Sequence, residues 1–301
     1  MRNGGDNYVI FDRRDRVGGT SWILQANKAS RLQTEVGVYH LEYEVNNGWP
    51  ADAETNPWPS RDQLLERFHN TAKEFGVLPY CKMETNITNL DVIGKDYWTQ
   101  HYELTALKKG QESIVTASTV CLFPGNLTNP KRVIYKGEEM FGGDIVYGIS
   151  SAFDYNKCRG NDVSIIGCGA FAVENLRTCV EHRATKIYLI CRRKNMAMPR
   201  IVSWLINQSE RYISAALTLV ASEPMYDLMS VDPWAYYCVY ANEARTNVTM
   251  RQKCRFGIGD VYFLSMYYGH TDNVVDDIRR VSYQTIHLIS GRTLENVTAM
   301  L

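Results

Sequence analysis

The sequence lacks an excess of charge of either sign. Its 33 lysines and arginines balance its 33 aspartates and glutamates, so the formal net charge is zero. This balance gives no support to nucleic acid or an anionic membrane as a main partner. No apolar run approaches the roughly 18 residues of a transmembrane helix, and the first residues lack the apolar core of a signal peptide. We therefore expect a cytoplasmic protein without a transmembrane segment.

Metal-binding and dithiol patterns are also missing. The eight cysteines include no CxxC pair, and neither they nor the six histidines show metal-ligand spacing. The sequence therefore predicts no metal site. Several cysteines fall within predicted strands or helices, where cysteine commonly acts as a small buried apolar residue. This usage indicates reduced thiols in an intracellular protein.

The clearest positive signal is a strand, a glycine-rich turn, a helix and a second strand. A β-branched run at 163–166 leads into Gly167-Cys168-Gly169-Ala170-Phe171-Ala172, which matches G-x-G-x-x-A, and an apolar run at 187–190 follows the helical stretch. Gly167 allows a tight turn, Gly169 lets the backbone approach a pyrophosphate, and Ala172 lets helix and strand pack closely. The helix N-terminus, at Ala170 and Phe171, would present N–H groups to that anion. The segment predicts a dinucleotide-binding unit; a glycine-rich turn before an ordinary helix is the alternative.

The residues after the second strand indicate which dinucleotide is bound. Sites that prefer NAD usually place a carboxylate here for the ribose 2′-hydroxyl. This sequence has Arg192 and Arg193 instead. Because guanidinium groups match phosphate in a bidentate manner, the pair favours NADP. A solvated basic turn is the alternative interpretation.

Other elements follow from periodicity and from turn residues. The 301 residues are enough for two domains. We predict a buried strand at 8–11 and helices at 61–75, 201–215 and 261–268. We also predict a hairpin whose strands cover 98–107 and 113–122, and a final pair of strands, with alternating apolar and polar residues, at 282–289 and 293–301.

The N-terminal third resembles a known family. The segment Phe11-Asp12-Arg13-Arg14-Asp15-Arg16-Val17-Gly18-Gly19-Thr20-Ser21-Trp22 resembles the part of flavin-containing and Baeyer–Villiger monooxygenases where an acidic residue ends a strand and a Gly-Gly-Thr-Trp loop follows. The resemblance implies an α/β fold with two doubly wound, Rossmann-like dinucleotide-binding domains, and FAD and NADP as cofactors. The implied FAD-binding residues are Asp12, Arg13, Gly18, Gly19, Thr20 and Trp22.

A second stretch, Arg31-Leu32-Gln33-Thr34, resembles the family segment that faces the flavin ring. The resemblance implies that Arg31 and Gln33 face FAD, although they could instead satisfy loop carbonyls. Asp12 likewise could be only a strand-end turn residue.

Three departures from the family pattern bear on these expectations. Ser21 is inserted within Gly-Gly-Thr-Trp, and Tyr147 stands where the signature F-x-G-x-x-x-H, beginning at Phe141, has histidine. Only seven residues precede Tyr8, whereas the family places a strand, a G-x-G-x-x-G turn and a helix there. We therefore expect the first domain to lack its initial β-GxGxxG-α unit. The expected organisation is a partial FAD-binding domain at 1–160, an NADP-binding domain at 161–290, and the start of a segment returning to the FAD domain at 291–301.

The resemblance implies a flavin-dependent monooxygenase. NADPH would reduce FAD, and the reduced flavin would use O₂ to oxygenate a small-molecule substrate, by N/S-oxygenation or Baeyer–Villiger insertion. An NADP-binding but catalytically inactive fragment or regulatory module is the alternative. A disulfide reductase is disfavoured because it needs a redox-active cysteine pair. The sequence predicts no catalytic side chain and no oligomeric state.

Overall fold

The computed structural model describes residues 7–35, 38, 58–125, 130–251 and 256–301, and it divides into two compact units. The first comprises Met1–Ala26, His40–Asn56 and Arg61–Asn129, and the second comprises Asn27–Tyr39, Pro57–Ser60 and Pro130–Leu301. The domain boundary expected at 160 therefore falls inside the second unit. Within the described ranges, no helix combines the length and apolar character needed to cross a membrane.

The described residues of the first unit combine one α-helix with short strands. Its elements are β1 (Ile10–Phe11), α1 (Arg61–Glu74), β2 (Cys81–Lys82), β3 (Asn86–Ile93), β4 (His101–Lys108) and β5 (Gln111–Ala117). β3, β4 and β5 form an antiparallel sheet, and β1 pairs in parallel with β2. The predicted helix and hairpin are confirmed, with β3 as an additional strand. Lys109 and Gly110 both have positive φ, which matches a tight turn to the right-handed twist of the strands.

The prediction of a buried strand at 8–11 is wrong in two respects. Only Ile10 and Phe11 form a strand, and the side chains of Val9 and Ile10 are exposed. Burial of a strand depends on what packs over it. Within the described residues, β1 has a single strand partner, so its apolar side chains remain in contact with solvent.

The second unit contains the larger core. Its elements are β6 (Asp144–Ile145), β7 (Asp162–Ile166), α2 (Ala170–Glu181), β8 (Lys186–Cys191), β9 (Ala197–Met198), α3 (Arg200–Asn207), α4 (Ala215–Asp227), β10 (Val239–Ala241), β11 (Val248–Met250), β12 (Gly257–Ile258), α5 (Asp260–Tyr267), β13 (Thr271–Val275), β14 (Ile278–Ser282), β15 (Thr285–Leu288), β16 (Thr293–Leu294) and β17 (Val297–Met300). The predicted strands and helix around the glycine turn, and the predicted helix at 261–268, are confirmed to within one residue at each end.

Five parallel strands form the central sheet, in the order β13-β8-β7-β17-β6. Both of its faces are covered, because successive side chains of a strand point to opposite sides. Ile165 and Leu189 lie in the core on one face, and Ile190 and Met300 lie in the core on the other. The expected α/β class with a parallel, Rossmann-like sheet is thereby confirmed.

Two predicted elements are divided in the structure. The helix expected at 201–215 is two helices, because α3 ends at Asn207 and Ser214 begins α4, its hydroxyl accepting a hydrogen bond from the Leu217 amide at 3.2 Å. The terminal pair is four strands. β14, β15 and β16 form an antiparallel sheet, and β17 returns to the central sheet between β7 and β6.

Candidate functional site

The glycine turn leaves the carboxyl end of β7, the middle strand of the central sheet. Both sides of the turn are tied to neighbouring strands. The Ile166 amide donates to the Leu301 carbonyl, and the Gly167 amide donates to the Ile190 carbonyl, both at 2.8 Å. Gly167 has φ +133°, a conformation that side chains other than glycine's rarely adopt. The turn therefore has a fixed path that requires glycine at its first position.

The N-terminus of α2 opens directly from this turn. Gly169 precedes the helix with extended backbone angles, and its lack of a side chain leaves the helix end without a side-chain cap. Glycine here is not required by the dihedral angles, so its absent Cβ is better explained by close approach of another group. Ala172 is buried against the turn, and the Phe171 side chain is exposed. The helix end can therefore receive an anion from outside the chain.

Arg192 and Arg193 lie at the same edge of the sheet. They follow the last residue of β8, the strand beside β7, so parallel pairing brings them to the end of the sheet where the glycine turn lies. Both side chains are exposed. The Arg193 guanidinium lies 5.9 Å from the centre of the Tyr237 ring, which restricts its orientation. The structure thus places two guanidinium groups at this edge, where a ribose phosphate could meet them.

Arg31 and Gln33 belong to the second unit and contact the start of α2. The Arg31 amide donates to the Glu174 carboxylate at 3.0 Å. Gln33 uses both ends of its amide: Nε2 donates to the Ala170 carbonyl at 2.8 Å, and Oε1 accepts from the Ile258 amide at 3.0 Å. Their segment therefore lies against the helix that the glycine turn precedes.

A buried polar network that the sequence analysis did not identify supports α2 from its inner side. The Tyr155 hydroxyl donates to Asn175 Oδ1 and accepts from Asn27 Nδ2. Asn175 Nδ2 in turn donates to the carbonyls of Gly148 and Phe171, at 2.7 and 2.8 Å. Burial raises the pKa of Tyr155, so its hydroxyl remains a donor across the physiological range. The partners are far apart in sequence, so no local pattern could have revealed them.

Two buried thiols lie at the turn: Cys168 is part of it, and Cys191 ends β8. The Cys191 side chain, together with Asn195 and the charge of Lys194, lowers the pKa of Cys168, although burial acts in the opposite direction. The Cys168 side chain and burial raise the pKa of Cys191. Cys191 Sγ also contacts Asn273 Oδ1 at 3.4 Å.

The sequence of this chain is similar to those of several known monooxygenases. No protein-family model matches the sequence. Flavin-containing monooxygenase 5 of Cavia porcellus is 24% identical over 232 residues, which cover 74% of this chain and 41% of that protein. Acetone monooxygenase (methyl acetate-forming) of Gordonia sp. strain TY-5 is 21% identical over 182 residues, 59% of this chain and 32% of that protein. The chain therefore spans about two fifths or less of the length of these relatives.

Solved structures give the same fold. Oxidized steroid monooxygenase bound to NADP matches with a TM-score of 0.64 at 14% identity, over 97% of this chain and 65% of that one. The chain therefore resembles these monooxygenases in sequence and shares the fold of the steroid monooxygenase. The signature F-x-G-x-x-x-H of the flavin-containing and Baeyer–Villiger monooxygenases is matched in this chain by Phe141 and Gly143. Tyr147 stands in place of its histidine.

The structure gives two of these signature positions a packing role. Phe141 is completely buried in the core on one face of the central sheet. At Gly143, a Cβ atom would lie 2.2 Å from the carbonyl oxygen of Thr298 in β17. Glycine is therefore needed where β6 enters the sheet beside β17. Tyr147 follows this strand and is half-buried.

The remaining monooxygenase-like positions lie in the first unit. Asp12 directly follows β1, and one of its carboxylate oxygens accepts from the Arg14 amide at 2.8 Å, which is the geometry of an Asx turn. At Gly18, φ is +137° and a Cβ atom would lie 2.4 Å from Leu65 of α1. Gly19 also has positive φ, and a short π-helical turn, Ser21–Gln25, follows. The other predicted residues of this stretch are Arg13, which is exposed, and Thr20 and Trp22, which are half-buried.

Proposed function

We propose that this chain provides the NADPH-binding part of a flavin-dependent monooxygenase, which uses NADPH and O₂ to oxygenate a small-molecule substrate. The observation that carries the proposal is the unit of β7, the glycine turn, α2 and β8, with Arg192 and Arg193 at its end. The steroid monooxygenase with the similar fold was solved bound to NADP. FAD and NADP are accordingly the proposed cofactors.

The donor set at the turn fits NADPH. The N–H groups at the start of α2 suit a pyrophosphate, and no side chain competes for them as a cap. Arg192 and Arg193 suit the 2′-phosphate. When bound, NADPH supplies a hydride to the flavin. The residues of this chain would then bind and orient the nucleotide, while Gln33 holds the first turn of α2 through its hydrogen bond to the Ala170 carbonyl.

The described residues fit FAD only in part. Asp12 and the Gly18–Gly19 turn provide the positions that resemble the ribose ligand and the flavin-side loop. In residues 7–26 and 61–125 of the first unit, however, no strand leads through a glycine turn into a helix as β7 does. The proposed roles are a partial FAD-binding domain for 1–160, an NADP-binding domain for 161–290, and a returning segment for 291–301.

Calorimetric titration with NADPH and NADH tests the nucleotide site. We expect NADPH to bind more tightly, and the double variant Arg192→Ala/Arg193→Ala to lose about a hundredfold or more in NADPH affinity while NADH affinity changes little, since each of the two charge-assisted bonds contributes about 1.5 kcal/mol or more. Lys108→Ala/Lys109→Ala removes the same charge from the first unit and should leave NADPH affinity unchanged. No heat with NADPH, or an unchanged preference in the arginine variant, would refute the assignment.

Oxygenation is tested separately. The purified protein supplied with FAD should show flavin absorbance and consume O₂ with NADPH. The alternative, an NADP-binding module without catalysis, is favoured by the single complete nucleotide-binding unit within the described residues. That alternative predicts a colourless protein that NADPH nevertheless protects against heat. The seven described cysteines are free thiols, which supports the proposal of a reducing, cytoplasmic location.

A further inference from the structure

The loop that directly follows β8 carries three consecutive cations, Arg192, Arg193 and Lys194, and is called the basic loop below. Among the described residues, none of the three forms an ion pair. Two of them lie instead over aromatic rings. The guanidinium carbon of Arg193 is 5.9 Å from the centre of the Tyr237 ring, and Lys194 Nζ is 5.9 Å from the centre of the Tyr236 ring. Both distances are within the range of about 6 Å over which a ring face attracts a cation, so two adjacent cations are matched to two adjacent rings.

The segment that carries these rings is anchored in the core. Tyr236 is buried, and its ring contacts the Tyr226 ring edge to face, with the centres 5.4 Å apart. Tyr226 is completely buried; its hydroxyl donates to the Ala197 carbonyl at 2.6 Å and accepts from the Ala197 amide at 2.8 Å. Its ring also packs edge to face against Phe263, with the centres 5.2 Å apart. Tyr237 directly follows the anchored Tyr236, so its ring has a defined position beside the basic loop, although it is 36% exposed.

A ring and a carboxylate would act differently as partners of Arg193. A carboxylate would compensate the charge of the guanidinium and occupy the N–H donors that bind a phosphate in a bidentate manner. A ring face attracts the cation through its quadrupole, and it leaves the net charge uncompensated and the planar array of N–H donors available. An exposed arginine without any partner would lose rotamer freedom when it binds a ligand. The Tyr237 ring therefore restricts Arg193 before a ligand binds and does not compete with that ligand.

We propose that Tyr237 is a positioning residue that sets the preference of the site for a nucleotide with a 2′-phosphate, because it holds Arg193 in the orientation that meets this phosphate. The role rests on the NADPH site proposed above. Only NADPH carries the 2′-phosphate, so the ring should strengthen the binding of NADPH and not that of NADH. Within the described residues, Arg192 has no ring contact of this kind, so the effect of Tyr237 should act through Arg193.

Calorimetric titration of the full chain with NADPH and with NADH tests this role. Tyr237→Leu should lower the NADPH affinity by about two- to fivefold, the range for a cation–aromatic contact at an exposed site, and leave the NADH affinity unchanged. Tyr237→Phe keeps the ring and should keep the wild-type preference. Tyr237→Gln removes the ring but suits an exposed position, and it should behave as Tyr237→Leu does. Equal losses of affinity for both nucleotides would mean that the ring only supports the fold, and would overturn the proposal.

Tyr240 offers a matched control. The Arg251 guanidinium carbon lies 3.9 Å from the centre of its ring, and Tyr240 is 44% exposed, but neither residue belongs to the basic loop. Tyr240→Leu removes a comparable ring from a comparable pair of the same unit, so both nucleotide affinities should stay at their wild-type values. A loss of NADPH preference as large as that of Tyr237→Leu would contradict the assignment of the effect to Tyr237.

Double-mutant cycles test whether the effect acts through one arginine. In the Arg193→Ala background, Tyr237→Leu should cause no further change in the preference for NADPH, whereas in the Arg192→Ala background its effect should persist. An effect that persisted without Arg193 would rule out the positioning role. If the wild-type chain bound no NADPH, the proposed function would fail, and this role with it. If NADPH bound in a manner that depended on Arg193 but Tyr237→Leu kept the wild-type preference, the positioning role alone would fail.

Discussion

Replacing Arg177 should destabilise the second unit substantially. This side chain lies on α2, is only 5% exposed, and forms ion pairs with Glu174 and Glu181. Its guanidinium also donates to the Ala29 carbonyl at 2.7 Å. Burial acts to lower the pKa of Arg177, but the two carboxylates outweigh it and raise the pKa. The arginine therefore stays charged, and both carboxylates depend on it.

The two carboxylates respond differently to loss of the cation. The Glu174 side chain is 12% exposed and would become a nearly buried charge without a cation, whereas Glu181 is 48% exposed and can be hydrated. Breaking a buried pair from one side costs about 3–5 kcal/mol. Glu174 keeps one hydrogen bond, from the Arg31 amide, so we expect Arg177→Met to cost about 3 kcal/mol, at the lower end of that range. For a unit of this size, that corresponds to roughly 6–12 °C in melting temperature.

Differential scanning calorimetry and urea unfolding would measure this change. Glu181→Gln is the matched control: it removes the more exposed partner and should cost less than about 1 kcal/mol. The double variant Glu174→Met/Arg177→Met should recover part of the loss, because it leaves no unpaired buried charge. If Arg177→Met proved no more destabilising than Glu181→Gln, the reasoning from buried charge would be refuted.

Three further changes have defined outcomes. Gly257→Ala places a Cβ atom 2.2 Å from Val173 Cγ2, so overpacking should cost about 1–3 kcal/mol in urea unfolding, and a change near zero would contradict the close approach. In Gly167→Ala the new Cβ atom would lie 4.0 Å from Ala172 Cβ, an ordinary contact, but the backbone must keep φ +133°. This strain should lower the free energy of unfolding by about 1–3 kcal/mol in the same assay, and wild-type stability would show that the turn relaxes freely. Burial acts to raise the pKa of Glu138, but the Tyr135 amide and Arg132 outweigh it and lower the pKa. The ionised Glu138 therefore stabilises the folded protein at a pH above its unfolded-state pKa of about 4.3. This stabilisation is lost as the pH falls through the lower pKa of the folded state. The stability deficit of Glu138→Gln at neutral pH should therefore shrink in acid, and a deficit that grew there would reverse the assigned sign.

The elements that could be predicted accurately are those specified by adjacent residues. The strand–turn–helix–strand unit at 162–191 was located to within a residue because β-branched runs, glycine conformation and helical periodicity all act locally. The hairpin turn at Lys109 and Gly110, and the end of α1 before Gly76, follow from the same kind of signal. The parallel sheet is then the consequence of a short strand–helix–strand crossover.

The incorrect predictions arose where a local signal competed with context. Apolar periodicity continued past Asn207, but the Ser214 cap began a new helix, so one predicted helix became two. The apolar run ending in Ile10 and Phe11 favoured a buried strand, yet a strand is buried only if other elements cover it. In both cases the pattern identified the type of structure but not its limits or surroundings.

The candidate site shows the same division between local and distant information. Gly167, Gly169 and Arg192 could be assigned to the candidate site from sequence because a bound phosphate, the proposed ligand, would impose its requirements on neighbouring residues of one crossover. The positions of Gln33 and Arg177 could not, because their partners lie 137 and 148 residues away in the chain. These distant contacts determine whether the helix end is held rigidly enough to bind an anion with defined geometry. Affinity at the turn should therefore depend on residues that touch no nucleotide.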